Sequence, residues 1–233
     1  MNSSTNGSEF DLIARHFAPL AAGDAGALGL ADDAAVLDVP PGQQLVVTTD
    51  ALISGVHFLP DLSPQDIAHK VVGVNLSDLA AMGAAPRAVF LAAQITPETT
   101  EDWIAAFAGG LADALRGSGA VLMGGDTVAT PGPLAFTLTA LGFAPQGHIL
   151  TRAGAKAGDD LFVTGTIGDG ALGLLSLTGE LPADAYLANR YARPQARFAF
   201  AQALAASGLA SACVDISDGL AADVGHICEA SNV

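Results

Sequence analysis

Ser63-Pro64-Gln65-Asp66-Ile67-Ala68-His69-Lys70-Val71-Val72-Gly73-Val74-Asn75-Leu76-Ser77-Asp78-Leu79-Ala80-Ala81-Met82-Gly83, with the apolar run Ala88–Ile95 just after it, decides the fold class. The first stretch reads as one long helix. Ser63 is its N-cap, Pro64 sits at the first helical position, Asp66 lies in the first turn and Gly83 stands just past the end. Ile67, Val71, Val74 and Leu79 supply its apolar positions. The run that follows is a strand, so helix and strand alternate, as in an α/β protein.

The pattern continues outward. Toward the C-terminus come a helix over Glu101–Arg116, with Trp103, Ile104, Phe107 and Leu111 on one face, then strands at Ala120–Met123 and Leu134–Phe143. Toward the N-terminus lie β-like runs at Ala34–Val39 and Gln44–Thr49, split by the turn Pro40-Pro41-Gly42. Before them, Ser8 is placed to cap a short helix with Phe10, Ile13 and Phe17 on its apolar face, and residues 1–7 read as a tail. Gly147–Gly158 looks like a boundary, dividing the chain into 1–147 and 148–233. The second part predicts strands at Leu161–Thr164 and Ala212–Val214. Its helices fall at Asp169–Leu177, near Asp184–Arg190, at Gln195–Ser207 and at Gly219–Glu229. Two strands do not make a stable sheet alone, so further chain is expected after Val233.

Composition narrows the function. There are 24 acidic residues against 9 basic ones, a formal charge of −15, which disfavours nucleic acid and anionic membranes as partners. No apolar h-region follows Met1, and no apolar run reaches the ~18 residues that span a bilayer. A cytoplasmic protein with two reduced thiols, Cys213 and Cys228, is the expectation. Asp outnumbers Glu 19 to 5, which points to turns, caps and metal sites rather than helix surfaces.

The acidic residues fall in five motifs: Asp32-Asp33, Thr48-Thr49-Asp50, Asn75-Leu76-Ser77-Asp78, Gly124-Gly125-Asp126 and Asp215-Ile216-Ser217-Asp218-Gly219. Asp50, Asp126 and Asp215 each end an apolar strand, where α/β folds bind ligands. Asp78 stands on a helix between Leu76 and Leu79, where a carboxylate is costly unless paired or bound to metal. Each also has a plain structural reading: Asp126 fits an Asx-turn, Asp218 a helix cap, Asp32 and Asp33 a turn. Oxygen-only ligands favour Mg²⁺ or Mn²⁺ over zinc, and Mg²⁺ is commonly held by one or two carboxylates together with phosphate oxygens. Only two lysines occur, and no Gly-x-x-x-x-Gly-Lys-Ser/Thr loop, so a P-loop enzyme is excluded and metal must supply most of the neutralising charge.

In this order the motifs resemble those of the thiamine-monophosphate kinase family, in the superfamily of aminoimidazole-ribonucleotide synthetase and selenophosphate synthetase. Gly55-Val56-His57-Phe58, Leu79-Ala80-Ala81-Met82-Gly83 and Leu150-Thr151-Arg152 extend the likeness, which runs from about Phe10 to the C-terminus. The resemblance implies a two-domain α/β (α+β) synthetase-like fold. Residues 1–147 form a metal- and nucleotide-binding domain whose mixed sheet builds a β-barrel in a homodimer, and 148–233 form part of a C-terminal α/β domain. It implies ATP-dependent, Mg²⁺-assisted phosphorylation of thiamine monophosphate. Asp33, Thr48, Thr49, Asp50, Asp78, Asp126, Asp215 and Asp218 match its Mg²⁺ contacts, with Asp126 and Asp215 as candidate catalytic residues. Gly125, Arg152 and Ser217 match nucleotide contacts, and His57 a contact to the substrate phosphate. By itself His57 also reads as a locally bonded residue after a turn, and Arg152 as a bridge between the halves.

Two departures stand out. The family has Gly-Asp-Asp where this chain has Ala31-Asp32-Asp33, so an altered turn is expected there. The family also continues past the point where this chain stops, with a Gly-Gly-Glu-Asp motif and a late aromatic that bear on thiamine recognition. Another ATP-using synthetase of the superfamily, or a nucleotide- and metal-binding dimer without turnover, are the alternatives. The lack of a catalytic Cys near the N-terminus speaks against selenophosphate synthesis.

Overall fold

The structure is a computed structural model describing residues 9–233. It begins with helix α1 (Glu9–Leu12), which runs on as a π-helical turn over Ile13–Phe17 and buries Phe17. The Ser8 cap lies outside the described residues. Strand β1 (Gln43–Ile53), helix α2 (Pro64–Ala81), strand β2 (Ala85–Ile95), helix α3 (Glu101–Leu115) and strands β3 (Val121–Ala129) and β4 (Ala135–Pro145) follow. The caps of α2 and α3 are those of an isolated helix: Ser63 Oγ accepts from the Asp66 N–H, and Thr100 Oγ1 from the Trp103 N–H.

The four strands form one mixed sheet in the order β1-β4-β2-β3. β4 is antiparallel to both β1 and β2, whereas β2 and β3 are parallel. The β2–β3 crossover is made by α3, as a parallel pair requires. α2 and α3 pack together over one face. Phe107 of α3 stacks on Phe136 of β4 with ring centroids 4.6 Å apart, and Trp103 stacks on Phe107 at 5.5 Å. Phe58, Ile67, Val71, Leu79, Leu111 and Leu138 complete a core with almost no exposure. Each large side chain buried there contributes about 1.5–3 kcal/mol.

Residues 148–233 contribute helices α4 (Asp169–Leu177), α5 (Ala185–Ala192), α6 (Phe198–Ser207) and α7 (Leu220–Ser231). They dock on α2. Lys70 Nζ donates to the Tyr191 carbonyl at 2.9 Å and lies 3.5 Å from that ring's centre, and Arg193 Nε bonds Asp66 at 2.5 Å. Gly73 leaves room for the Pro194 carbonyl, which a Cβ would meet at 2.4 Å.

Three predicted strands are not strands. Ala34–Val39 has no ladder: the Val36 N–H goes to the Gly26 carbonyl of the preceding loop, and Val36 and Val39 stay exposed. Leu161–Thr164 and Ala212–Val214 lack a neighbouring strand among the described residues, and Phe162 is 86% exposed. Apolar sequence suggests a strand, but a ladder needs a partner edge. The α/β class therefore rests on the first half. In the turn before Asp32 the positive φ falls upstream of Ala31. Ala31 has φ −116°, and the left-handed residues are Leu28, Gly29 and Leu30.

Candidate metal and nucleotide site

Alternation along β1 sends Thr48 toward α2, where its Oγ1 donates to Asp78 Oδ2 at 2.6 Å. Asn75, one turn earlier on α2, is fully buried. Its Oδ1 accepts the Asp50 N–H at 3.1 Å, and its Nδ2 donates to the Val71 carbonyl at 2.9 Å. Asp50 and Asp78 are thereby fixed close enough for their charges to act on each other. Asp215, entering from the segment before α7, joins them, and its carboxylate accepts a hydrogen bond from Ser77.

Burial pushes the Asp78 carboxyl above its usual range. The Asp50 charge adds to this, while the Thr48 hydroxyl and the Arg152 guanidinium act against it. Asp215 is pushed up in the same way, by burial first and then by Asp78 and Asp223, with Ser77 opposing. Three carboxylates drawn from three distant segments, two of them losing solvent, are an arrangement that a divalent cation relieves. The donors are all oxygen, which suits Mg²⁺. Arg152 is the cation whose field reaches Asp78.

A second acidic group lies at the other edge of the sheet. Asp32, Asp33 and Asp126 line a cavity of about 450 Å³ together with Phe17, Phe90 and Gly124–Thr127. These carboxylates are exposed. Asp32 accepts the Asp33 N–H at 2.9 Å, and Asp126 accepts the Thr127 N–H at 2.8 Å. Gly125 has φ +153°, and a Cβ there would meet the Leu91 carbonyl at 1.9 Å, so no other residue fits between β2 and β3. The ladder register aligns Asp50 with Leu138, Leu138 with Leu91 and Leu91 with Gly125. Three strand spacings, roughly 14 Å, separate the two groups along the sheet.

The remaining candidates divide. Thr49 does not join the Asp50 group. It points to the opposite face, where its hydroxyl meets Thr139 Oγ1 at 3.0 Å, because neighbours on a strand cannot share a face. His57 is exposed just after β1, and its Nδ1 accepts the Ile53 N–H at 3.0 Å, so the neutral ring carries its proton on the outward Nε2. Ser217 and Asp218 are exposed in the loop before α7, with Asp218 grouped with Asp223 and His226. Asn75 and Ser77 had no role assigned from sequence. Their signal was present, as two polar side chains within one helical motif that the fold turns toward the strand and toward Asp215.

The family described as AIR synthase related protein, N-terminal domain, matches residues 31–144, and its C-terminal domain counterpart matches residues 156–233. The chain is 47% identical over 230 residues to the thiamine-monophosphate kinase of Escherichia coli (strain K12), covering 96% of this chain and 69% of that protein. The chain belongs to the thiamine-monophosphate kinase family. The crystal structure of the thiamine-monophosphate kinase from Stenotrophomonas maltophilia is similar with a TM-score of 0.85 and 45% identity, covering 97% of this chain and 73% of that one. AaThiL complexed with AMPPCP and TMP is similar with a TM-score of 0.77 and 30% identity, covering 87% of this chain and 65% of that one.

Proposed function

We propose that this kinase-family chain transfers the γ-phosphate of ATP to the phosphate of thiamine monophosphate, giving thiamine diphosphate. The carrying observation is the convergence of Asp50, Asp78 and Asp215, with burial raising Asp78 and Asp215, beside Arg152. The family likeness and the AMPPCP–TMP complex of AaThiL support the substrates.

Asp33, Asp50, Asp78, Asp126, Asp215 and Asp218 are the residues to hold Mg²⁺, with the Thr48 hydroxyl fixing Asp78. When bound, the ions neutralise the charge of phosphates brought together and polarise the transferred group. The two acidic groups would each hold Mg²⁺ on their own side, because the register that aligns Asp50 with Gly125 turns Asp126 to the other face of the sheet. Arg152 offers a planar fork to phosphate. Gly125 and Ser217 are the residues we assign to nucleotide contact. The outward Nε2–H of His57 is set to donate to the acceptor phosphate. The reaction moves a phosphoryl group between oxygens, so the protein's task is positioning and charge stabilisation.

A homodimer accompanies this reading. Leu45 and Val47 are 41% and 56% exposed on the outer face of β1, and Val128 is 44% exposed on β3. A sheet with one open apolar face is suited to a second copy. Among the described residues no helix is long and apolar enough to cross a membrane.

The test is thiamine diphosphate formation from thiamine monophosphate and ATP, with and without Mg²⁺. Nucleotide binding without phosphorylation of thiamine monophosphate would remove the substrate assignment. Light scattering on wild type and Val47→Lys tests the dimer, and a monomeric wild type removes it.

A further inference from the structure

Asp223 lies in the first turn of α7, is 2% exposed, and belongs to none of the five acidic motifs. Its Oδ2 accepts three backbone N–H bonds: from Ser217 at 3.0 Å, Asp218 at 3.2 Å and Gly219 at 3.1 Å. These are three consecutive residues of the loop that follows Asp215. No side chain caps α7, whose N-cap is Gly219 at φ +115°. The carboxylate therefore reaches back out of the helix and gathers the loop around itself. Charged acceptors make hydrogen bonds roughly twice as strong as neutral ones. Removing this acceptor would leave three donors of the loop without their partner.

We infer that Asp223 is a positioning residue: its carboxylate clamps the 217–219 backbone and so sets where Asp215, Ser217 and Asp218 stand toward Mg²⁺ and nucleotide. This rests on the Mg·ATP reading above. Asp218, Asp223 and His226 also offer ligand atoms within 4.8 Å of one another, which would make Asp223 a metal ligand instead. The three N–H bonds converge on one oxygen and need no ion, so the clamp exists in metal-free protein. Groups that hold metal ligands in place typically matter 10–100-fold for affinity or activity.

Hydrogen exchange on metal-free wild type is the first test, because it needs no variant. The amides of Ser217, Asp218 and Gly219 exchange more slowly than that of the neighbouring exposed Ile216. Exchange of all four at one rate overturns the clamp. The second test is Asp223→Asn, similar in shape but uncharged, with Mg²⁺-dependent ATP binding read by calorimetry. The Mg²⁺ concentration for half-maximal binding rises at least about 10-fold, and the three amides lose protection without metal. The double variant Asp223→Asn/Asp215→Asn needs no more Mg²⁺ than Asp215→Asn alone, a non-additivity that general loss of stability does not produce. His226→Ala leaves the Mg²⁺ requirement unchanged; a rise equal to that of Asp223→Asn overturns the clamp in favour of a shared metal site. Wild type that fails to bind Mg·ATP overturns the site reading itself, and this inference with it. Normal Mg·ATP binding by Asp223→Asn overturns this inference alone.

Discussion

The two acidic groups at the edges of the sheet differ in how the fold treats them. Asp78 and Asp215 are half-buried, disturb each other's charge, and need Thr48, Ser77 and Arg152 to offset part of the cost. Asp32, Asp33 and Asp126 stay in water, and Asp32 and Asp126 each accept the backbone N–H of the next residue. The fold withdraws carboxylates from water at the β1 edge and leaves those at the β3 edge exposed. Both groups are needed for the proposed chemistry, yet only one should weigh on stability.

The largest expected effect separates activity from stability. Asp78→Asn and Asp126→Asn each lower turnover more than about 100-fold by removing a Mg²⁺ contact. Only Asp78→Asn raises the melting temperature of metal-free protein, since it deletes a charge that burial disfavours. Equal melting temperatures for the two variants would erase the distinction between the edges. Next in size is Asn75→Ala, which removes the bond from the Asp50 N–H of β1 and the bond to the Val71 carbonyl within α2, and costs about 1–3 kcal/mol in denaturant unfolding.

Acidity gives a smaller effect with a definite sign. A carboxyl whose folded pKa lies above its unfolded value holds more protons folded than unfolded, so it costs stability as pH rises through that interval. For Asp78 and Asp215 the interval starts at the ordinary 3.8 and extends upward. Metal-free wild type therefore loses stability relative to Asp78→Asn/Asp215→Asn as pH rises above 3.8, and Mg²⁺ restores more of it at higher pH. Smallest of all is Leu28→Gly, which relieves a left-handed residue at φ +49° near Asp32 and gains up to about 1 kcal/mol by thermal unfolding.

What could be read from sequence followed locality. The ends of α2 were legible because Ser63, Pro64, Asp66 and Gly83 act within a few residues of themselves. The sheet order was not, since β1 meets β4 across some 90 residues of chain and no local pattern records that pairing. Leu161–Thr164 and Ala212–Val214 had strand composition without a partner edge, and composition cannot supply one. In the site, the aspartates were visible as motifs. That Thr49 turns away was implicit in the strand alternation that seats Thr48. Asp78 drew notice as a costly charge on a helix, whereas its neighbours Asn75 and Ser77 acquire meaning only once β1 and the 215 segment lie against α2. Ala31 takes an ordinary backbone angle because the positive φ falls to Leu28 and Leu30 upstream.

Helix α2 has one more consequence. At one end Asp66, Lys70 and Gly73 receive the second half of the chain, and at the other Asn75, Ser77 and Asp78 arrange the carboxylates. Lys70 and Asp78 are eight residues apart, about 12 Å along a stiff helix. The rod thus works as a gauge: the socket that accepts Tyr191 and Pro194 also sets the distance at which Asp215 is delivered to Asp78. Loosening that socket would be felt as a misplaced carboxylate two turns away, in a part of the molecule the substitution never touched.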